Sequence, residues 1–208
     1  THAGLLYEVD MRLRPSGKGG PLVTTLSAFR DYQHEHAWTW EHQALVRARA
    51  VAGSRDLCQR FVAVRREILC QRRQAEQLRE DIGQMRARME SARTGHDPTM
   101  FDIKHDRGGI VDIEFMVQYW VLLLAADNPG LTEHTDNVSI LGALADAGLL
   151  DTKRVQLLVE AYRCYLSTEH RLKLVERKPL IAHSELSGLP ERVTLSWRDM
   201  FERDSVAD

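Results

Sequence analysis

Apolar and polar residues alternate from Tyr7 to Arg14, the period of a half-buried strand. Leu5, Tyr7, Val9, Met11 and Leu13 share one face, and Glu8, Asp10, Arg12 and Arg14 share the other. Pro15 ends the ladder and Ser16–Gly20 make a loop. Residues Pro21 to Leu26 are predicted as a second strand, completing a hairpin. The period then lengthens. Ser27 is the expected N-cap of a short helix from Ala28 to His36, and Ala37 to Val51 reads as another helix, stopped by Gly53.

Ser54 is placed to cap a longer helix. Leu57, Phe61, Val64 and Ile68, then Ala75, Leu78, Ile82, Met85 and Met89, follow alternating steps of three and four. An unbroken helix from Leu57 to Arg93 would be roughly 55 Å long at about 1.5 Å per residue. The seam lapses at Gln71, so a break between Gln71 and Ala75 is the alternative, and Thr94–Pro98 end the segment. Phe101–Lys104 is a short extended piece. The helix from Ile110 to about Ala126 is apolar nearly all round beyond Phe115, which puts it at the centre of a bundle. Thr135 or Asp136 caps the next helix, which ends at Gly148. A long amphipathic helix runs from about Asp151 to Glu176, and a last one from about Pro190 to Arg203. The fold class is mainly α (α+β), a helical bundle preceded by a β-hairpin remnant. The division falls at residue 53, with 1–53 as the remnant and 54–208 as the bundle.

Composition narrows this little. The chain has 208 residues, a formal net charge of −2, 43 % hydrophobic and 28 % charged residues. A near-neutral chain without a basic stripe disfavours nucleic acid and acidic lipid as partners. The most apolar run, Ile110 to Ala126, is broken by Asp112, Glu114 and Gln118 and is too short to span a bilayer. Three widely spaced cysteines without a CxxC fit reduced thiols and a cytoplasmic location. The chain starts at Thr1 and almost at once enters a strand, which reads as a piece cut from a longer polypeptide.

Chemistry concentrates in three blocks. Asp10 can bind Mg²⁺, but that ion takes one or two carboxylates plus phosphate oxygens and water, so Asp10 alone is an incomplete site. Arg12 and Arg14 can grip phosphate through the guanidinium fork. On spacing alone, a solvated strand face with Asp10 paired to an arginine is the simpler account. In Phe101–Phe115, Gly108 and Gly109 open a helix whose free N–H groups would attract an anion, with Lys104 just upstream. Asp112 in the first turn is explained by the helix dipole. Trp38, Trp40, Glu41, Gln43, Arg47 and Arg49 form the third block; aromatic residues at this density are more often core than ligand cage, and a contact of Glu41 with Arg47 or Arg49 would brace the platform. No zinc spacing and no nucleophile elbow occurs.

Together, Tyr7–Gly17, Ala37–Arg49 and Phe101–Phe115 resemble the bacterial bifunctional glutamine synthetase adenylyltransferase/adenylyl-removing family over nearly the whole chain, and look most like its C-terminal, AMP-attaching half. The resemblance implies a polymerase-β-like nucleotidyltransferase domain that uses ATP and Mg²⁺. Asp10 matches the third carboxylate of its metal-binding triad and is the implied catalytic and metal residue; it would also help deprotonate the attacking tyrosine of glutamine synthetase. Attack at the α-phosphorus would release pyrophosphate. Arg12, Arg14 and Lys104 become the nucleotide-contacting candidates. The implied partners are glutamine synthetase and the PII signal protein, with glutamine as effector. The family's Gly-Ser loop and paired Asp-x-Asp have no counterpart before Asp10, so the fragment is expected to be inactive alone. The open alternatives are a non-catalytic helical module that binds PII or glutamine synthetase, and the AMP-removing, phosphorolytic half.

Overall fold

The computed structural model describes residues 10–11, 14–93 and 99–202. Among the described residues, eight α-helices and one two-stranded sheet make a mainly α structure. The helices are α1 (Leu26–Glu35), α2 (Thr39–Val46), α3 (Arg55–Leu69), α4 (Ala75–Ser91), α5 (Ile110–Leu124), α6 (Asn137–Asp146), α7 (Thr152–Leu174) and α8 (Leu189–Phe201). Strands β1 (Met100–Asp102) and β2 (Leu180–Ala182) pair antiparallel, with Phe101 opposite Ile181. No described helix is long and apolar enough to cross a membrane.

Helix α5 is the axis. It packs against α2, α4, α6, α7 and α8, and buries residues on every side, among them Ile113, Met116, Val117, Val121 and Leu122. Fully burying one such side chain stabilises by about 1.5–3 kcal/mol, so an all-round apolar helix has no better place than the centre. Phe101 of β1 is buried beneath it, with the Tyr165 ring 6.1 Å away and the His183 ring 5.4 Å away.

Side-chain caps start the helices where polar residues precede apolar periods. Ser54 accepts from the Leu57 N–H at 3.2 Å. Asp136 accepts from the Ser139 N–H at 2.8 Å, and Asp151 from the Lys153 and Arg154 N–H groups at 2.9 and 3.1 Å. Gly148, at φ +68°, follows the end of α6 as expected.

The first strand, most of Leu5–Arg14, lies outside the described residues, as do Thr94–Pro98 and Arg203, the expected end of the last helix. Elsewhere the structure differs from the sequence expectation. Pro21–Thr25 form no ladder with any described residue, and Leu26 already opens α1; the Thr25 hydroxyl accepts from the Ala28 N–H at 3.2 Å, so a residue with strand propensity serves as the cap in place of Ser27. The sheet that is present uses Leu180–Ala182, a run too short to stand out.

Helix α2 is shorter than Ala37 to Val51 because a side chain from elsewhere closes it. Buried Arg65 of α3 donates to the carbonyls of Leu45 (2.9 Å) and Val46 (2.5 Å), and also to Thr132 (2.5 Å). The long seam breaks at Cys70–Gln74. There Arg73 donates to the carbonyls of Ile68 (2.9 Å), Leu69 (3.1 Å) and Leu122 (3.2 Å), the ends of α3 and α5. Cations at helix C-termini satisfy orphan carbonyls and complement the dipole. Burial lowers both guanidinium groups, Arg73 to about 10, which leaves it charged at neutral pH. The two halves of the seam face different neighbours: α3 packs on α1 and α2, and α4 on α2, α5 and α8.

Candidate functional site

At the end of the segment that carries Asp10, the chain turns through Pro15–Gly20. Asp10 is exposed. Arg14 donates to the Gly20 carbonyl at 3.3 Å and to the Met11 carbonyl, so part of its guanidinium braces the loop. Arg12 lies outside the described residues. Arg14 also lines a groove of about 420 Å³ together with Phe29, Trp40, Glu41, Arg47 and Phe61. Lys104, exposed on the loop before α5, is not among the residues that line that groove.

Glu41 does not pair with Arg47 or Arg49. Its carboxylate accepts the Tyr32 hydroxyl at 2.9 Å and the Trp38 N–H at 2.9 Å, closing the N-terminus of α2. Arg47 pairs instead with Glu114 of α5, and the Tyr162 hydroxyl reaches the same carboxylate at 3.3 Å. Burial, then the Glu114 charge, raises the Tyr162 hydroxyl. The brace expected between Glu41 and an arginine therefore joins α2 to α5 through a different acid. Trp38 and Trp40 are not core: 70 % and 36 % of each is exposed. Trp38 precedes α2 as its N-cap, and the density of aromatic residues alone does not distinguish an outer position from a buried one.

The glycine pair before α5 is built for packing. A Cβ on Gly108 would stand 2.1 Å from the Pro190 carbonyl oxygen, and one on Gly109 would stand 2.6 Å from that of Ile103. The N–H groups at the start of α5 already have partners: Gly108 to Asp112 Oδ2 (2.7 Å), Gly109 to the Asp106 carbonyl (3.0 Å), Ile110 to that of Ile103 (2.9 Å) and Val111 to that of Lys104 (3.1 Å). They are not free to receive an anion. Asp102 and Asp106 hold the loop further, since Arg93 pairs with both, at 2.9 and 2.6 Å.

Buried arginines are the residues that sequence reasoning missed. Arg65 and Arg86 bind carbonyls or a carboxylate far away in sequence, the half-buried Arg73 reaches Leu122, and the only local sign of the first two is a basic residue next to a seam position. Among the described residues, no group of three or more His, Cys, Asp or Glu side chains is placed to hold a metal ion.

Residues 1–64 match the family model for glutamate-ammonia ligase adenylyltransferase. Residues 71–180, more than half of the chain, match the model for GlnD PII-uridylyltransferase. Over those residues the chain belongs to the GlnD PII-uridylyltransferase family. It is also 46 % identical, over 202 residues and 97 % of its length, to the bifunctional glutamine synthetase adenylyltransferase/adenylyl-removing enzyme of Thioalkalivibrio sulfidiphilus. Identity is again 46 %, over 96 % of the chain, to the enzyme of that name from Pseudomonas aeruginosa, and 44 % to that of Pseudomonas syringae pv. tomato. The resemblance drawn from the three sequence blocks is to these same enzymes. The chain spans about a fifth of their length, 21 % of the first and 22 % of the others.

Proposed function

We propose that the chain is part of a nucleotidyltransferase that transfers AMP from ATP to a tyrosine of glutamine synthetase and so regulates nitrogen assimilation. The observation that carries this is the identity, along almost the entire chain, to enzymes named for that activity. Residues 1–53 would be the end of the nucleotidyltransferase domain and 54–208 the helical domain. Helix α2 packs across that line against α3, α4 and α5, so the two parts share one core.

Within this reading Asp10 is the catalytic carboxylate and a ligand of Mg²⁺, and Arg12 and Arg14 contact the nucleotide phosphates. Lys104 is the fourth candidate, exposed on a loop whose amide groups are already engaged. A single exposed carboxylate does not make a magnesium site, and the described residues supply no cluster to complete it. On this reading the chain contributes Asp10, together with Arg14, which lines the groove beside Trp40, Glu41 and Arg47. The fragment is proposed to be inactive alone.

The test is Asp10→Asn in the full-length enzyme. Loss of AMP transfer with wild-type folding is expected, and retained transfer with unchanged Mg²⁺ dependence would refute the metal role. Assaying the same parent for phosphate-dependent AMP removal, with release of ADP, separates the AMP-attaching half from the AMP-removing one.

A second reading is favoured by the match of residues 71–180 to a family whose name includes PII. On this reading the bundle is a non-catalytic module that meets PII or glutamine synthetase, with glutamine acting elsewhere as effector. Binding of the isolated chain to PII without nucleotide would support it.

A further inference from the structure

One surface of the bundle carries an excess of positive charge. A groove of about 630 Å³ runs between α3, the segment after α2 and the stretch at Thr132–Thr135. Arg49, Arg55 and Arg66 line it and are exposed, and none forms an ion pair among the described residues. Arg65, buried in its floor, is bound to carbonyls and has no carboxylate partner either. Glu133 is the one acid among the lining residues. Four guanidinium groups against one carboxylate give a local positive field in a chain whose net charge is −2.

A second, independent feature lies along the same wall. From Ala48 to Val51 the backbone runs without helix, turn or bend. The N–H and C=O groups of Arg49, Ala50 and Val51 make no hydrogen bond among the described residues, and Val51 is 83 % exposed. Main chain with unpaired N–H and C=O groups is the template on which another strand is added. In the floor, Arg65 ties the end of α2 to the Thr132 carbonyl.

We propose that this groove binds an acidic polypeptide segment in extended form. Its main chain pairs with Arg49–Val51, and its carboxylates sit on Arg49, Arg55 and Arg66. Carboxylates match the planar guanidinium fork in bidentate fashion. A small phosphate compound would use the guanidinium groups but leave the free main chain and the exposed Val62 uncovered. A nucleic acid has no peptide backbone to pair with Arg49–Val51.

The test is fluorescence anisotropy of the 208-residue chain with a labelled peptide of alternating glutamate and valine. Saturable binding that weakens with salt is expected. Exchanging Arg49 and Arg66 for alanine should weaken it about tenfold or more, since a hydrogen bond to a charged group is typically worth a factor of that size. Arg60→Ala removes a neighbouring arginine that is paired with Asp56 and should leave binding unchanged. The same peptide N-methylated at alternate residues keeps its charge but loses its donors, and should bind much more weakly. No binding to the peptide, equal loss with Arg60→Ala, equal binding of the N-methylated form, or full displacement by inorganic tripolyphosphate at lower concentration would each overturn the proposal. Circular dichroism of the variants excludes unfolding as the cause.

Discussion

Arg86 of α4 meets Asp112 of α5 at 2.5 Å, Nε to Oδ1, with 1 % and 0 % of the two side chains exposed. The second oxygen of Asp112 accepts the Gly108 N–H, and Arg86 also donates to the His105 carbonyl at 2.9 Å. One pair thus fixes the loop before α5 to α4. Burial pushes the Asp112 carboxyl above the usual carboxylate range, against the pull of Arg86 and the Gly108 amide. Breaking such a pair strands a buried charge. Asp112→Asn is expected to destabilise the chain by about 3–5 kcal/mol in urea unfolding, whereas replacing both residues with apolar ones of similar volume should cost clearly less. A single variant within about 1 kcal/mol of the parent would contradict this account of the loop.

The glycines divide into those that are required and those that are not. Gly108 has φ +82° and faces the Pro190 carbonyl at a distance no Cβ tolerates. Gly108→Ala should destabilise by about 1–3 kcal/mol from backbone strain alone, with the clash in addition. Gly83 and Gly142 lie inside α4 and α6, and an added Cβ would meet nothing within 4 Å. Gly83→Ala and Gly142→Ala should each stabilise by about 0.5–1 kcal/mol, because alanine is the better helix former. Thermal unfolding of the three variants checks both directions.

Local signals were readable where they act alone. Ser54 and Asp136 cap the helices they precede, and the all-apolar surface of α5 put it at the centre. The lapse at Gln71 marked a real break. What escaped is non-local. Arg65 ends α2 from nineteen or twenty residues away, and Arg73 reaches the end of α5, 49 residues on. Thr24–Thr25 have strand propensity, yet capping decided their state. Leu180–Ala182 became a strand because β1 lies beside it. At the candidate site, the roles of Asp10 and Arg14 rest on the resemblance alone, and the glycine pair before α5 serves close packing, which one-dimensional spacing does not separate from anion binding.

Arg65 makes a strong claim on stability because it satisfies carbonyls on two separate segments. Arg65→Met keeps much of the aliphatic volume but removes the donors to Leu45, Val46 and Thr132. Buried carbonyls without partners cost about 1–3 kcal/mol each, so a loss of more than about 2 kcal/mol is expected. Hydrogen exchange should rise first in α2 and around Thr132–His134, the segments it joins. Arg65→Lys should rescue little, since one ammonium group cannot span the carbonyls that the fork reaches.

Glu67 gives the chain a pH dependence on its acid side. Arg30 holds its carboxylate through hydrogen bonds of 2.7–3.0 Å, and His34 adds one at 2.8 Å. Hydrogen bonding to Arg30, then to His34, lowers the carboxyl from 4.5 to about 2. A depressed folded value means that the unfolded chain binds the proton more readily. The contact therefore stabilises above about 4.5, and that contribution disappears as pH falls toward about 2. The Glu67 side chain is 38 % exposed and that of Arg30 50 %, so solvent and salt screen much of the effect. Unfolding measured against pH should show the parent more stable than Glu67→Gln at neutral pH, the two converging at the acid end, and a smaller gap in high salt. Parallel curves throughout that window would show that the α1–α3 contact does not depend on the charge of Glu67.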